Sequence, residues 1–208
     1  MKLIIFGATG TIGQELVKQA IEKGCQVTAF VRNPEKMQHA GNTNLLLYKG
    51  DVLNAAEVEN AIKDQDAVLC ALGDGRTGTI RAAGTKIIIE AMKKTGKKRL
   101  ICQTTLGMGE SYGNLNFIWK HIMFGMLLKK AFRDHKLQEH YILNSNLDYC
   151  IVRPSAFTDG EITNQFKIGF DGNFKDLNLK ISRADVANFM LEQVSTEKYL
   201  KKVVSISN

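Results

Sequence analysis

The chain reads as an α/β protein: a doubly wound, mainly parallel sheet with helices on both faces and a small excursion near the C-terminus. Three observations predict this. Short apolar runs alternate with stretches of helical spacing along most of the sequence. Parallel strands need crossovers, and this alternation supplies them. The first apolar run also ends in a glycine-rich turn, Gly7 to Gly13, that leads directly into an amphipathic stretch.

Taken in order, Leu3 to Phe6 is a buried strand bounded by glycine. Thr11 to Lys23 carries apolar residues at 12, 16, 17, 20 and 21, which is helical spacing, and Gly24 ends it. Gln26 to Val31 is a second strand, followed by a short polar helix after Pro34. Strand Leu45 to Tyr48 and a helix over Ala55 to Lys63 come next. Ala67 to Leu72 is the fourth strand, Ile80 to Thr95 a long helix, and Leu100 to Thr104 the fifth strand. An irregular region and helices extend to about Asn146. Strand Tyr149 to Val152 then runs into Arg153-Pro154. Phe166 to Phe170, a turn at Asp171-Gly172-Asn173 and Leu177 to Ile181 predict an antiparallel excursion. Ser182 caps a further helix, with Asp185 three residues on as a capping-box variant. Val203 to Ile206 is the last strand. No repeat or linker interrupts residues 1–208, so a single domain is expected.

Composition narrows the class. The 208 residues are 44% apolar and 24% charged, the profile of a globular protein that folds without disulfide or metal. With 28 Lys and Arg against 21 Asp and Glu, the net charge of +7 favours an anionic partner, and a phosphorylated cofactor satisfies it. The basic cluster Lys93, Lys94, Lys97, Lys98 and Arg99 lies at a helix C-terminus without interleaved aromatics. It matches the helix dipole rather than nucleic acid. Cys25, Cys70, Cys102 and Cys150 have neither metal nor redox spacing and read as reduced residues of a cytoplasmic protein. The histidines lack partners at ligand spacing, so no metal is expected. The apolar run before Gly7 is too short for a signal peptide, and Phe117 to Leu128 is broken by Lys120 and His121, so no membrane span is expected.

The glycine turn carries the chemistry. Gly7 permits a tight turn, Gly10 lets the backbone approach a pyrophosphate, and Gly13 lets the helix pack against the sheet. The helix start offers free N–H groups and a partial positive charge to phosphates. Dinucleotide binders that prefer NAD place an acidic residue at the end of the second strand to hold the ribose hydroxyl. Here no acidic residue occurs between Glu22 and Glu35, and the strand ends in Val31-Arg32-Asn33. A guanidinium there suits a 2′-phosphate, which points to NADP(H).

These motifs, with Gly50-Asp51-Val52, Ala71-Leu72-Gly73, Ile151-Val152-Arg153-Pro154 and Ile181-Ser182-Arg183-Ala184-Asp185-Val186-Ala187, give a chain that resembles the atypical short-chain dehydrogenases/reductases of Rossmann fold. More narrowly, it is similar to the small NAD(P)H-binding proteins of the biliverdin reductase B or flavin reductase type. The likeness covers nearly the whole chain and weakens over residues 107–130. It implies that Thr9, Gly10, Thr11 and Ile12 line the pyrophosphate, that Arg32 takes the 2′-phosphate, and that Asp51 and Val52 sit against the adenine. Ala71, Leu72 and Gly73 would pass under the ribose. Thr104 and Thr105 would end their strand beside the nicotinamide, with Pro154, Ser155 and Phe157 closing from the other side.

Standard members of this superfamily use Y-x-x-x-K with a Ser or Thr. The lysine lowers the tyrosine pKa, and the tyrosine gives a proton to the carbonyl oxygen. Lys136 fits the lysine and Thr105 the hydroxyl, but Phe132 stands where the tyrosine belongs and has no proton to give. Hydride transfer then calls for an acceptor that spreads charge over a conjugated system and takes its proton from water: a flavin, quinone or bilin. His121, His135 and His140 are the remaining proton donors of this region, and packing or surface roles are expected for them. Residues 105–130 and 154–181 are expected to build the substrate side, with Phe117 and Trp119 as pocket walls and the remaining apolar side chains in the core or against a partner subunit. The expected partners are a small planar acceptor and no nucleic acid, in a monomer or weak homo-oligomer. The alternative is a non-enzymatic NADP(H) sensor like the nitrogen-regulator branch. A nucleotide-sugar epimerase would need the tyrosine and a larger C-terminal region.

Overall fold

In a computed structural model, which describes all residues except Arg76, Thr77 and Lys175, the alternation becomes one main sheet. Its strands are β1 (Lys2–Phe6), β2 (Gln26–Val31), β3 (Leu45–Lys49), β4 (Ala67–Cys70), β5 (Arg99–Gln103), β6 (Asp148–Pro154), β8 (Lys167–Ile168) and β10 (Lys202–Ser207). They lie in the order β3-β2-β1-β4-β5-β6-β10-β8, and every pair is parallel except β10 with β8. A chain that runs outward from β1 to β3 and returns to β4 opens a crevice between the C-terminal ends of β1 and β4, where doubly wound sheets bind ligands.

The strands are apolar because both faces are covered. On one face α1 (Thr11–Glu22) and α5 (Arg183–Glu192) bury a core around Leu3, Ile5, Leu16, Val186 and Ile206. On the other, α2 (Ala55–Ile62), α3 (Ile80–Lys94) and α4 (Lys129–Leu143) cover Ile4, Phe6, Val68, Leu100 and Ile151. Gln19 of α1 donates to the Ala184 carbonyl at 3.0 Å and ties the two helices of the first face together. The capping box at α5 forms as read: the Asp185 N–H donates to Ser182 Oγ at 2.9 Å. Asp185 Oδ1 also accepts the N–H groups of Thr163 and Asn164, each at 2.8 Å, which anchors the loop ahead of β8.

The C-terminal excursion differs from the predicted hairpin. β8 does pair antiparallel, but with β10, through Ile206 opposite Ile168. β9 (Lys180–Ser182) instead pairs in parallel with β7 (Ala156–Thr158) in a separate two-stranded sheet. The chain leaves the main sheet at Ser155, whose N–H donates to the Ile206 carbonyl at 3.1 Å, and at once meets β9, the Ala156 N–H donating to the Leu179 carbonyl at 3.1 Å. Between β5 and α4, residues Gly109–Asn114 form a 3₁₀ turn and Ile118–Leu127 a π-helical stretch. The wide i→i+5 winding accommodates an apolar sequence that is not confined to one stripe.

Candidate cofactor and acceptor cleft

A cleft of about 900 Å³ opens at the C-terminal ends of β1, β2, β4, β5 and β6. One wall is the glycine turn. Gly7 holds φ +80°, and a Cβ there would collide with the Ala71 carbonyl across the switch point. A Cβ on Gly13 would strike the Gly7 carbonyl and the Ala8 backbone. These two glycines serve the fold. Gly10 is exposed, and its Cβ would come no closer than 3.2 Å to protein. It faces the cleft with Thr9, Thr11 and Ile12. No side chain caps α1, and no acidic residue stands in its first turn, so its N–H groups and positive end are directed at the cleft.

Arg32, Asn33 and Lys36 line the outer end. Gln14 fixes that loop to α1 by donating to the Lys36 carbonyl at 2.9 Å and accepting the Gln38 N–H at 3.3 Å. Val52 is buried and lines the cleft, whereas Asp51 does not. The Asp51 carboxylate accepts the Leu53 N–H at 2.9 Å and is engaged in its own turn. Ala71, Leu72 and Gly73 form the floor beyond β4, and Thr104 and Thr105 end β5 against Pro154, Ser155 and Phe157. The Ser155 hydroxyl is buried without a hydrogen-bond partner among the described residues. Arg183 lies over the Phe157 ring at 5.8 Å.

Among the described residues lining the cleft, Arg32, Lys36, Arg81 and Arg183 are cationic and none is acidic. An uncapped helix start, an open glycine, four cations and an orphaned hydroxyl suit a phosphorylated dinucleotide.

The inner end is apolar. Leu106, Leu115, Trp119, Phe124 and Leu128 line it, with Trp119 and Phe124 rings 5.6 Å apart. Phe117 is not among them; it is 71% exposed and points away. Lys136 is also placed outside. On α4 the buried positions are Ala131, Asp134, His135, Gln138, Glu139 and Ile142, and one residue along a helix is about 100° of rotation, so Lys136 faces solvent and its neighbour His135 faces the cleft. Phe132, four residues before Lys136, packs on Phe124 at 4.6 Å within an apolar cluster, also outside the cleft. The two positions of the Y-x-x-x-K alignment, Phe132 and Lys136, therefore do not line the cleft.

Sequence reasoning missed Arg81 and set His135 aside. Arg81 opens α3, where Asp134 accepts the N–H groups of Arg81 and Ala82, both at 3.1 Å. His135 Nδ1 lies 3.0 Å from Gln138 Oε1. Burial, and next the Arg81 charge, push its pKa down to about 3, so the ring is neutral. Behind it, Glu139 holds Arg153 through Nε at 2.9 Å and Nη2 at 2.7 Å and accepts the Thr104 hydroxyl at 2.7 Å. Arg153 also reaches Glu110 at 2.7 Å. This buried network fixes the end of β5 relative to α4 and β6. The usable signal was the polar spacing 134, 135, 138, 139, a helical stripe between Ala131 and Ile142.

Comparison with known proteins agrees with this architecture. A chloroplastic protein of Arabidopsis thaliana is 30% identical over 99% of this chain and 76% of its own length. A photosystem II assembly factor, Ycf39, of Guillardia theta is 23% identical over 99% of the chain and 64% of its own. The chain thus spans somewhat under two thirds of that longer relative. Among solved structures, the oxidoreductase ylbE of Lactococcus lactis superposes with a TM-score of 0.84 at 26% identity, covering 100% of this chain and 91% of that one. The anaerobilin reductase ChuY of Escherichia coli O157:H7 shares the fold with a TM-score of 0.84 at 24% identity, covering 100% and 97%. The profile described as NAD(P)H-binding matches residues 7–197, nearly the whole chain. The chain belongs to the NAD(P)H-binding family, with NAD(P)H as its cofactor.

Proposed function

We propose that the chain is an NADPH-dependent reductase of a planar conjugated acceptor of the flavin, quinone or bilin kind. One observation carries this reading: the inner end of the cleft has aromatic and aliphatic walls and no phenol, since none of the five tyrosines lines it. The one imidazole among the described lining residues, His135, is held neutral. A ketone acceptor needs a side-chain acid for its alkoxide; a conjugated ring does not. The names of structural neighbours such as the anaerobilin reductase support the class of reaction without naming the acceptor.

Bound NADPH would supply the hydride, and the chain's residues do the rest. Thr9 to Ile12 and the start of α1 bind the pyrophosphate. Arg32, with Lys36 beside it, would hold the 2′-phosphate by charge-assisted hydrogen bonds. Val52 packs on the adenine without Asp51. Ala71 to Gly73 support the ribose, and Thr104, Thr105, Pro154, Ser155 and Phe157 flank the nicotinamide, with the Ser155 and Thr105 hydroxyls available to orient a carboxamide or acceptor carbonyl. Trp119, Phe124 and Leu128 exclude water and hold the acceptor flat, and the proton comes from solvent.

The test is NADPH oxidation followed at 340 nm with FMN, a benzoquinone and biliverdin. Turnover with at least one is expected, and His135→Gln should retain it within about threefold, since loss of a true proton donor costs about 10²–10⁴-fold. A variant that loses that much makes His135 the acid and overturns the solvent-proton reading. The likeness to photosystem II assembly factors favours a second reading, a protein that binds NADP(H) and reports it to a partner. Tight NADPH binding without oxidation by any of the three acceptors would select it.

A further inference from the structure

The segment that walls the acceptor end has a second face. Trp119, Phe124 and Leu128 turn inward to the cleft. The other apolar side chains of the same stretch turn outward: Phe117 is 71% exposed, Met126 75% and Ile118 57%, with Ile122 and Leu127 also exposed. A contiguous apolar stretch left in water marks an interaction surface, and its charge selects the partner. From residue 111 to residue 133 the sequence contains no Asp or Glu, while Lys120, Lys129, Lys130 and Arg133 are interleaved with the apolar positions and His121 stacks on Phe117. Two copies of the chain meeting here would set these cations against each other. An acidic partner would be attracted to them.

An exposed apolar helical stretch whose own charged side chains are all basic has the composition that seats at the headgroup boundary of an anionic bilayer. No helix among the described residues is long and apolar enough to cross a membrane, so the contact would be peripheral. We propose that residues 117–133 dock the protein on an anionic lipid surface. Phe117, Ile118, Ile122, Met126 and Leu127 enter the interface, and Lys120, Lys129, Lys130 and Arg133 meet lipid phosphates. This holds whatever the acceptor is. If the acceptor is lipid-soluble, the wall of its site lies on the membrane side.

The experiment is cosedimentation of the full chain with vesicles of phosphatidylcholine containing about 30% phosphatidylglycerol, and with pure phosphatidylcholine. At least about tenfold tighter partition to the anionic vesicles is expected, lost at high salt as surface electrostatics are screened. Phe117→Ser/Met126→Ser and Lys129→Glu/Lys130→Glu should each lower partition by about tenfold, with thermal unfolding and NADPH affinity unchanged, since none of these residues lines the cleft. Partition that is absent, equal on both vesicles or insensitive to these variants overturns the proposal. So does a dimer in sedimentation velocity that Phe117→Ser/Met126→Ser abolishes, which assigns the face to a second copy.

Discussion

The three glycines of the first turn look alike in sequence, and only their surroundings separate them. Gly10 has φ −75° and ψ 167°, extended backbone that valine adopts readily, and a Cβ there meets a single tight neighbour, the Gly7 carbonyl at 3.2 Å. Gly10→Val is expected to weaken NADPH binding by at least about tenfold while urea-derived stability falls by no more than about 1 kcal/mol. Gly13→Ala, pressed against the Gly7 carbonyl, should cost about 1–3 kcal/mol of stability. If Gly10→Val binds normally, the turn does not hold the pyrophosphate. His135 teaches a different lesson. The sequence pattern predicts helices up to about Asn146 without fixing their phase, a one-residue change of phase decides whether His135 or Lys136 meets the cleft, and a polar stripe offers no apolar marks to set that phase. The buried ring has a pH signature. With a pKa near 6.5 when unfolded and about 3 when folded, its contribution is fully present above about pH 6.5 and is lost as pH falls toward 3. Between pH 7 and pH 5 it should remove about 2 kcal/mol from wild-type stability. Urea titrations of wild type and His135→Gln at both pH values check this: the acid loss should be smaller in the variant by about that amount, and parallel losses would refute it.

Among the elements, the regular ones were legible because their signals are redundant. β1, α1 and β2 each combine an apolar period with a glycine boundary, and α5 carries a capping box that closes as its Ser182 and Asp185 predict. The excursion was legible as strands but not as pairings, since three-residue strands such as β7 and β9 carry too little pattern to specify a partner. α4 was read as a helix, yet its buried face escaped notice because it is polar. Its energetic core is the Glu139–Arg153 pair, whose side chains are only 7% and 4% exposed. Removing Glu139 leaves the buried Arg153 with only the exposed Glu110 as counter-ion, so Glu139→Ala should destabilise the fold by about 3 kcal/mol. Replacing both, as Glu139→Leu/Arg153→Met, should cost clearly less, because the desolvation penalty goes with the pair. Denaturant melts of the single and double variants decide it, and additive losses would show that the two residues do not act as a unit.

At the scale of the whole molecule, the crevice between β1 and β4 follows from strand order, and that order follows from right-handed crossovers acting on a readable alternation. This is why residues far apart in the sequence could be read as meeting at one cleft. The acceptor end was not legible, because it is built from a π-helical stretch whose apolar side chains face both inward and outward. A dinucleotide laid along the cleft would touch β2's end through Arg32, α1's start and the β6–β7 turn at once, and so would stabilise the folded molecule as one body. Ligand at about 100 times its Kd adds about 2.7 kcal/mol, and a ligand bound tenfold more weakly at the same concentration adds about 1.4 kcal/mol. For a chain of this size, 1 kcal/mol moves Tm by about 2–4 °C. NADPH at saturating concentration should therefore raise Tm by about 5–11 °C and exceed NADH by about 3–5 °C. Arg32→Glu should erase that difference, since a carboxylate repels the 2′-phosphate and accepts the ribose hydroxyl, while the ligand-free Tm stays put because Arg32 is exposed. Thermal melts with each cofactor measure all three quantities. Equal shifts for NADPH and NADH in the wild type would mean that the cation at the end of β2 does not select the phosphate.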